Sequence, residues 1–330
     1  MAGAVMTGAN GLRCAVVLCS WNGGRYLPQQ LDSLRAQTQR IDQYVLSDDG
    51  STDDSWDLLQ SFAQEQRAAG VDVVLHRNVE ASGYVHHFEQ ALARADADVL
   101  FTCDQDDAWH PEKIATMLAG FAGDPSLLVL HSDARLVDGA GVPTGRGLFD
   151  VLEVTPRELA AMHRGDAFDV LLRRNIVTGA TMALRREVLA LATPFAAHWA
   201  HDEWMAMIAS MHGRVDTLER PLIDYRQHGG NQIGARERSV LQKHFGIGVS
   251  RRDYLKRQVS RLEELAAKSL AIPAISEAVE DRLSYAKSRR DLPPPSFGRI
   301  GHVWRELQRG GYHRFGSGLR SAFADLAGLD

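Results

Sequence analysis

Between residues 13 and 121, short apolar runs alternate with segments of helical spacing. The runs at 13–20 (RCAVVLCS), 43–47 (QYVLS), 71–75 (VDVVL) and 97–103 (ADVLFTC) have the length of buried strands. Between them, Leu27, Leu31 and Leu34, then Trp56, Leu59 and Phe62, then Phe88, Leu92 and Ala95 each fall on one helical stripe. A further helix is expected at 111–121, with Pro111 in its first turn. Strands that are apolar on both faces must be covered on both faces. This order of strands and helices therefore predicts an α/β fold with a doubly wound, mostly parallel sheet and flanking helices. Two more strands, at 126–131 and 134–137, precede a turn at Asp138-Gly139.

In such a sheet, ligands bind beyond the carboxyl ends of the strands. Three of those ends are polar here: Ser20-Trp21-Asn22, Asp48-Asp49 and Asp104-Gln105-Asp106-Asp107. The topology aims them at one crevice. Three carboxylates at one strand end repel one another unless a cation neutralises them. Oxygen donors beside a phosphate co-ligand suit Mg²⁺ or Mn²⁺. An Asp-x-Asp alone is common in turns, so its weight comes from the other two strand ends. The first strand lacks a G-x-G-x-x-G turn, which disfavours a nicotinamide dinucleotide. It offers instead the ring of Trp21, which is suited to stacking on a nucleobase.

Past residue 150 the pattern changes. A helix start is expected at Thr155-Pro156, a strand at 178–184, a helix at 201–211 and strands at 214–218 and 222–225. A polar, glycine-containing loop follows at 226–234, and the chain from 235 reads as mostly helical. The expected organisation is a loose tail at 1–12, a catalytic domain at 13–235 and a helical C-terminal region at 236–330. Residues 236–330 carry a net charge of +7 and the rest of the chain −12. An acidic body argues against a nucleic-acid partner, and a basic end suits an anionic surface. Phe315, Leu319, Phe323 and Leu326 recur at helical spacing with Arg314 and Arg320 beside them. They are expected to form one apolar stripe that meets a membrane surface or packs on the catalytic domain or a second subunit. No window reads as a membrane span or signal peptide, and three apolar-flanked cysteines suit a reducing compartment. The expected location is the cytoplasm, with peripheral contact at the inner face of the cytoplasmic membrane.

Six segments occur in order: CSWNGGRYLPQQLDSLRAQT, SDDGSTDDS, FTCDQDDAWHPEK, NIVTGATMALRREVL, HDEWMAM and YRQHGGNQIG. Together they resemble the family 2 glycosyltransferases with a GT-A fold, and within them the bacterial rhamnosyltransferase-like branch. The resemblance covers about residues 13 to 235. It implies inverting transfer of a sugar, L-rhamnose from dTDP-L-rhamnose in that branch, to a hydroxyl of a cell-surface glycan or lipid-linked acceptor.

Carried over by position, Trp21 covers the nucleobase with Cys19 and Ser20 beside it, and Asp49 accepts from the base with Asp48 behind it. Asp104 lies near the ribose, and Arg226 joins the donor-binding set. Asp106 and His228 are the implied metal residues for Mg²⁺ or Mn²⁺, Asp107 caps the helix after Pro111, and Asp202 is the general base. The family commonly has Tyr where Trp21 stands and often Thr where Cys19 stands, which bears on base selectivity.

The residue types suit this chemistry on their own terms. A carboxylate can take the proton of an attacking hydroxyl, and a divalent metal can stabilise a leaving diphosphate. A single base opposite the leaving group gives inversion. Glu203 is the fallback base. Three other readings remain open: the same mechanism with a UDP- or GDP-hexose, a nucleotide-sugar-binding protein without turnover, and a nucleotidyltransferase. The last would want a basic glycine-rich phosphate loop, which Gly23-Gly24-Arg25 matches poorly.

Overall fold

The computed structural model describes residues 11–228, 251–293 and 297–328. Most of the expected N-terminal tail, the loop from 229 and the start of the C-terminal region lie outside the described residues. In chain order the first part runs β1 (Cys14–Ser20), α1 (Leu27–Arg35), β2 (Gln43–Asp48), α2 (Ser55–Ala68), β3 (Asp72–Arg77), α3 (Tyr84–Leu92), β4 (Val99–Asp104), β5 (Ala108–Trp109) and α4 (Lys113–Gly123). Then come β6 (Leu127–Val137), β7 (Pro143–Gly147), α5 (Leu148–Val151), α6 (Pro156–Arg164), α7 (Ala167–Arg173), a 3-10 turn at Gly179–Thr181, β8 (Met182–Arg185), α8 (Glu187–Ala192), α9 (His201–His212) and β9 (Arg214–Arg226).

The sheet order is β3-β2-β1-β4-β8-β6-β9-β5, with β7 paired to β6. The first four strands are parallel, as their two-sided burial demands: every residue of β1 and β2 is buried. The second half is mixed. β8 runs antiparallel to both β4 and β6, while β6 and β9 are parallel. The sheet is thus less uniformly parallel than the β-α pattern suggests, and 178–184 is not one strand. Its first residues wind into the 3-10 turn, and only Met182–Arg185 pair. The strands expected at 126–131 and 134–137 are one long strand, as are those at 214–218 and 222–225. The register shifts near Ser132 and Asp133 absorb the irregularities between them.

The core of this part is apolar and closed. Leu27, Leu31 and Leu34 of α1, Leu59 and Phe62 of α2, and Ile114, Met117 and Phe121 of α4 are all buried against the sheet. The first two sets belong to stripes read from helical periodicity, with Trp56 of the second only partly buried; Phe88, Leu92 and Ala95 of the third stripe are buried as well.

The chain divides into two units, the first made of residues 1–168, 176–195 and 200–235, the second of 169–175, 196–199 and 236–330. The second unit is helical: α10 (Arg251–Ser269), α11 (Pro273–Arg290), α12 (Phe297–Gln308), α13 (Gly311–Phe315) and α14 (Leu319–Ala327). Its small core gathers Tyr285, Val303, Tyr312 and Ala322. The single C-terminal stripe expected from the sequence does not form. Gly316 and Gly318 end one helix before the next begins, and the Phe315 ring packs 5.7 Å from that of Tyr285. Leu319, Phe323 and Leu326 lie on α14 alone.

Candidate active site

Strand β1 lies between β2 and β4, so three strand ends are neighbours. Cys19 stands in register with Ser47 and Asp104, and Ser20 with Asp48. Beyond them the Trp21 side is open, the residue being 45% exposed. The Gln105 side chain fastens this end of β1 to the end of β4. Its Oε1 accepts from Ser20 Oγ at 2.9 Å and Trp21 N at 2.8 Å, and its Nε2 donates to Trp21 O at 3.1 Å. Cys19 is buried. Its thiol is pushed far up by desolvation, and then by nearby Asp104, so it stays neutral.

Asp48 and Asp49 are both buried. Asp48 accepts from Ser51 N at 2.9 Å and lies 3.2 Å from Arg77 Nε. Asp49 ties down the following loop: it accepts from Asn78 Nδ2 (2.7 Å), from Ser82 N and Oγ, and from Gly83 N. Burial raises the Asp49 carboxyl, but the Asn78 and Ser82 donors outweigh it and hold it below the usual range.

The end of β4 is the acidic floor. Asp104 has no side-chain hydrogen-bond partner among the described residues. Its carboxyl is pushed up to about 7 by desolvation first, then by repulsion from Asp106 and Asp202, with Lys113 opposing. Asp107 is buried, and its carboxyl is raised by desolvation and by both neighbouring aspartates. Its Oδ1 accepts from Arg226 N at 2.9 Å, while its buried Oδ2 has no partner among the described residues. It does not cap a helix: α4 starts at Lys113, with Glu112 at the N-cap and no side-chain cap bond. Asp106 Oδ2 lies 2.8 Å from His228 Nε2, and the His228 ring stacks on Tyr26 at 4.7 Å.

The donor set suits Mg²⁺ or Mn²⁺. It has carboxylate oxygens, one of them orphaned, and one imidazole. Among the described residues no three such groups are placed to hold a metal ion.

Asp202 sits at the start of α9, near enough to Asp104 to raise its pKa. Its Oδ2 accepts from Gly179 N at 2.7 Å and its Oδ1 from Glu203 N at 2.8 Å. Gly179 is held in turn: its carbonyl accepts from Thr102 Oγ1, and the next carbonyl, of Ala180, accepts from Lys113 Nζ at 2.7 Å. A Cβ at Gly179 would come within 2.9 Å of His201 Nε2 and 3.3 Å of Asp202 Cβ, so this backbone approaches as only glycine allows. Lys113 is fully buried, with Nζ 3.8 Å from the Trp109 ring centroid. Desolvation lowers its pKa to about 7, against the pull of Cys103, Asp107 and Asp104.

Arg226, expected in the donor-binding set, is buried among protein partners. Its Nε donates to Asp106 O (2.8 Å), its Nη1 to Asp138 O (3.3 Å), and its Nη2 to Gln29 Oε1. The guanidinium also lies over the Tyr26 ring, and the residue is 2% exposed. It fixes the acidic loop from behind. The burial follows from β9 pairing with β6 through Arg226 itself, in register with Val137.

The structure therefore gathers Cys19, Ser20, Trp21, Asp104, Asp106, Asp202 and His228 at the strand ends. It sets Asp48, Asp49 and Arg226 into the supporting framework. Sequence reasoning assigned nothing to Lys113, Thr102, Gln105 or Gly179. The one available signal was their place inside HPEK, FTCDQDD and TGAT.

Residues 15–190 match the family model described as Glycosyl transferase family 2. An uncharacterized glycosyltransferase of Nostoc sp. is 26% identical over 230 residues, covering 67% of this chain and 66% of that protein. Hyaluronan synthase of Streptococcus pyogenes is 30% identical over 111 residues, 33% of this chain and 26% of its own length. The match thus spans less than two-thirds of each of these relatives. Among solved structures, TarS 1-349 of S. aureus in complex with UDP-GlcNAc superposes with a TM-score of 0.57 at 17% identity, covering 90% of this chain and 81% of that one. The mannosyltransferase PcManGT of Pyrobaculum calidifontis, in complex with GDP-Man and Mn²⁺, gives 0.52 at 17%, covering 96% and 86%. The expected GT-A architecture is the one these neighbours share, and the chain belongs to glycosyl transferase family 2.

Proposed function

We propose that the protein is an inverting glycosyltransferase that moves a sugar, L-rhamnose from dTDP-L-rhamnose, to a hydroxyl of a cell-surface glycan or lipid-linked acceptor. The observation that carries the reading is one juxtaposition. A carboxylate oriented by a glycine N–H, Asp202, lies within electrostatic reach of an acidic strand end that calls for a cation. Asp202 accepts the proton of the attacking hydroxyl, and Gly179 N–H fixes which way its lone pairs point. Asp106 and His228 would hold the metal, which when bound supplies positive charge at the leaving diphosphate. Trp21 covers the base, and Gln105 keeps its backbone tied to the acidic loop. The roles of Asp104 toward the ribose and of Cys19 and Ser20 beside the base belong to the same reading.

A second reading keeps the mechanism and changes the donor to a UDP- or GDP-hexose. The nucleotide sugars held by the two structural neighbours favour it. The test is release of nucleoside diphosphate from a panel of dTDP-, UDP- and GDP-sugars with Mn²⁺. Release from dTDP-L-rhamnose alone supports the first reading, and release from a hexose donor alone supports the second. Pyrophosphate as product, or no turnover with any donor, would remove both.

Two variants probe the parts. Trp21→Ala is expected to weaken nucleotide binding about tenfold to a hundredfold, the value of one base–aromatic stack, while Trp21→Tyr retains it. Equal loss in both, measured by calorimetry, would mean that the ring packs the fold instead. Gly179→Ala is expected to lower turnover roughly tenfold to a hundredfold with nucleotide affinity unchanged, because the added methyl displaces Asp202 or His201. Unchanged turnover would show that the Gly179 contact does not position Asp202.

A further inference from the structure

Helices α12 and α14 pack on one another and leave large apolar side chains in solvent. Ile300 and Trp304 are one turn apart on α12, as are Leu319 and Phe323 on α14. Trp304 is 62% exposed, Leu319 68% and Phe323 66%. Side chains of this size are normally scattered singly over a soluble surface, not paired on adjoining helices.

The charges around them are sorted by sign. Residues 297–328 contain five arginines and two acids. Both acids are turned inward. Asp325 is fully buried, accepting from Arg289 Nε and Nη2 at 2.8 Å and from Tyr312 Oη at 2.7 Å, and Glu306 is buried at 6% exposure. Arg305, Arg309, Arg314 and Arg320 are exposed. Arg314 is paired with Asp281, whereas the other three have no acidic partner among the described residues. The solvent-facing side of this stretch therefore offers apolar groups and cations and no anion. An ordinary soluble surface intersperses both signs.

That sorting discriminates between occupants. A second copy of the same face would bring arginines against arginines, and like charges brought together in a desolvated interface are costly. An anionic bilayer supplies what is missing: negative headgroups for the arginines and an acyl boundary for Trp304, Leu319 and Phe323. No helix among the described residues is long and apolar enough to cross a membrane, so the contact is at the surface.

We infer that the exposed sides of α12 and α14 dock on an anionic lipid surface, with the aromatic and leucine side chains entering the headgroup region and Arg305, Arg309 and Arg320 lying over the headgroups. The inference does not depend on the reaction, and its readout is binding, not turnover.

The test is sedimentation of the full chain with vesicles rich in phosphatidylglycerol, against vesicles of phosphatidylcholine alone, at low and high salt. Binding to the anionic vesicles only, weakened by salt, is expected. Charge reversal at Arg305, Arg309 and Arg320 together should weaken it by at least about a hundredfold. Leu319→Ser with Phe323→Ser should weaken it through lost insertion. All five side chains are exposed, so the melting temperature should hold in both variants. Absence of binding by the native chain would overturn the inference, as would binding unaffected by charge reversal. Self-association of the native chain that is lost in the Leu319→Ser, Phe323→Ser variant would overturn it in favour of a second copy.

Discussion

Asp202→Asn is expected to lower turnover by roughly 10²–10⁴-fold, the contribution of a positioned acid–base group. The substitution keeps the shape and removes the proton acceptor. Its structural cost is also readable. Both carboxylate oxygens accept backbone N–H groups, from Gly179 and Glu203. The amide has one oxygen, so one of these donors loses its acceptor, at a cost of about 1–3 kcal/mol where the group is buried. The melting temperature should therefore fall modestly while nucleotide affinity holds, because in the proposed mechanism the base faces the acceptor and not the donor. Glu203→Gln is the control. Successive residues on a helix point in different directions, so only one of the two should face the crevice. Near-normal turnover in Asp202→Asn, with loss in Glu203→Gln, would move the base to Glu203.

The parallel half of the sheet was legible because its physics is local. Runs of apolar residues on both strand faces and leucines at helical spacing leave few ways to bury them, and α1, α2 and the α3 segment bury most of the stripes that periodicity picks out. The strand ends were legible too, since Asp104 to Asp107 are unusual enough to need a reason. What was not legible depends on distant pairings. TGATMAL looks like a strand. It becomes a turn because Thr102 and Lys113, more than sixty residues earlier, bond the carbonyls of Gly179 and Ala180. Lys113 drew no reading from the sequence, because a lone lysine on a helix carries no signal of its burial, yet it is fully buried. Arg226 looks like a donor ligand from its motif. Only the β6–β9 pairing reveals that its guanidinium points inward.

Asp106→Ala is expected to abolish Mn²⁺-dependent nucleotide binding and to leave the metal-free protein at least as stable as the native chain. Asp106 repels both Asp104 and Asp107 across a poorly solvated floor, so its removal relieves strain as well as a ligand. The pH dependence gives an independent check. The Asp104 carboxyl is raised from 3.8 to about 7 in the fold. The folded state thus holds a proton that the unfolded state has released across that window. The stability tied to this group is full below the unfolded value and is lost as pH rises through about 7. The contribution of this one group should therefore fall as pH is raised from about 5 to 7, read as the difference in melting temperature between the metal-free native chain and Asp104→Asn, and Mn²⁺ with nucleotide should restore most at the upper end. In Asp106→Ala one of the two repelling charges is gone, so the decline should be shallower. Against this stands the loss of the 2.8 Å contact with His228. If that tie matters more than the repulsion, the metal-free variant melts well below the native chain at every pH. Asp106 would then be a structural brace of the β9 end. Unchanged Mn²⁺-dependent binding in the variant would remove the metal assignment altogether, and with it the reason for three carboxylates to share one strand end.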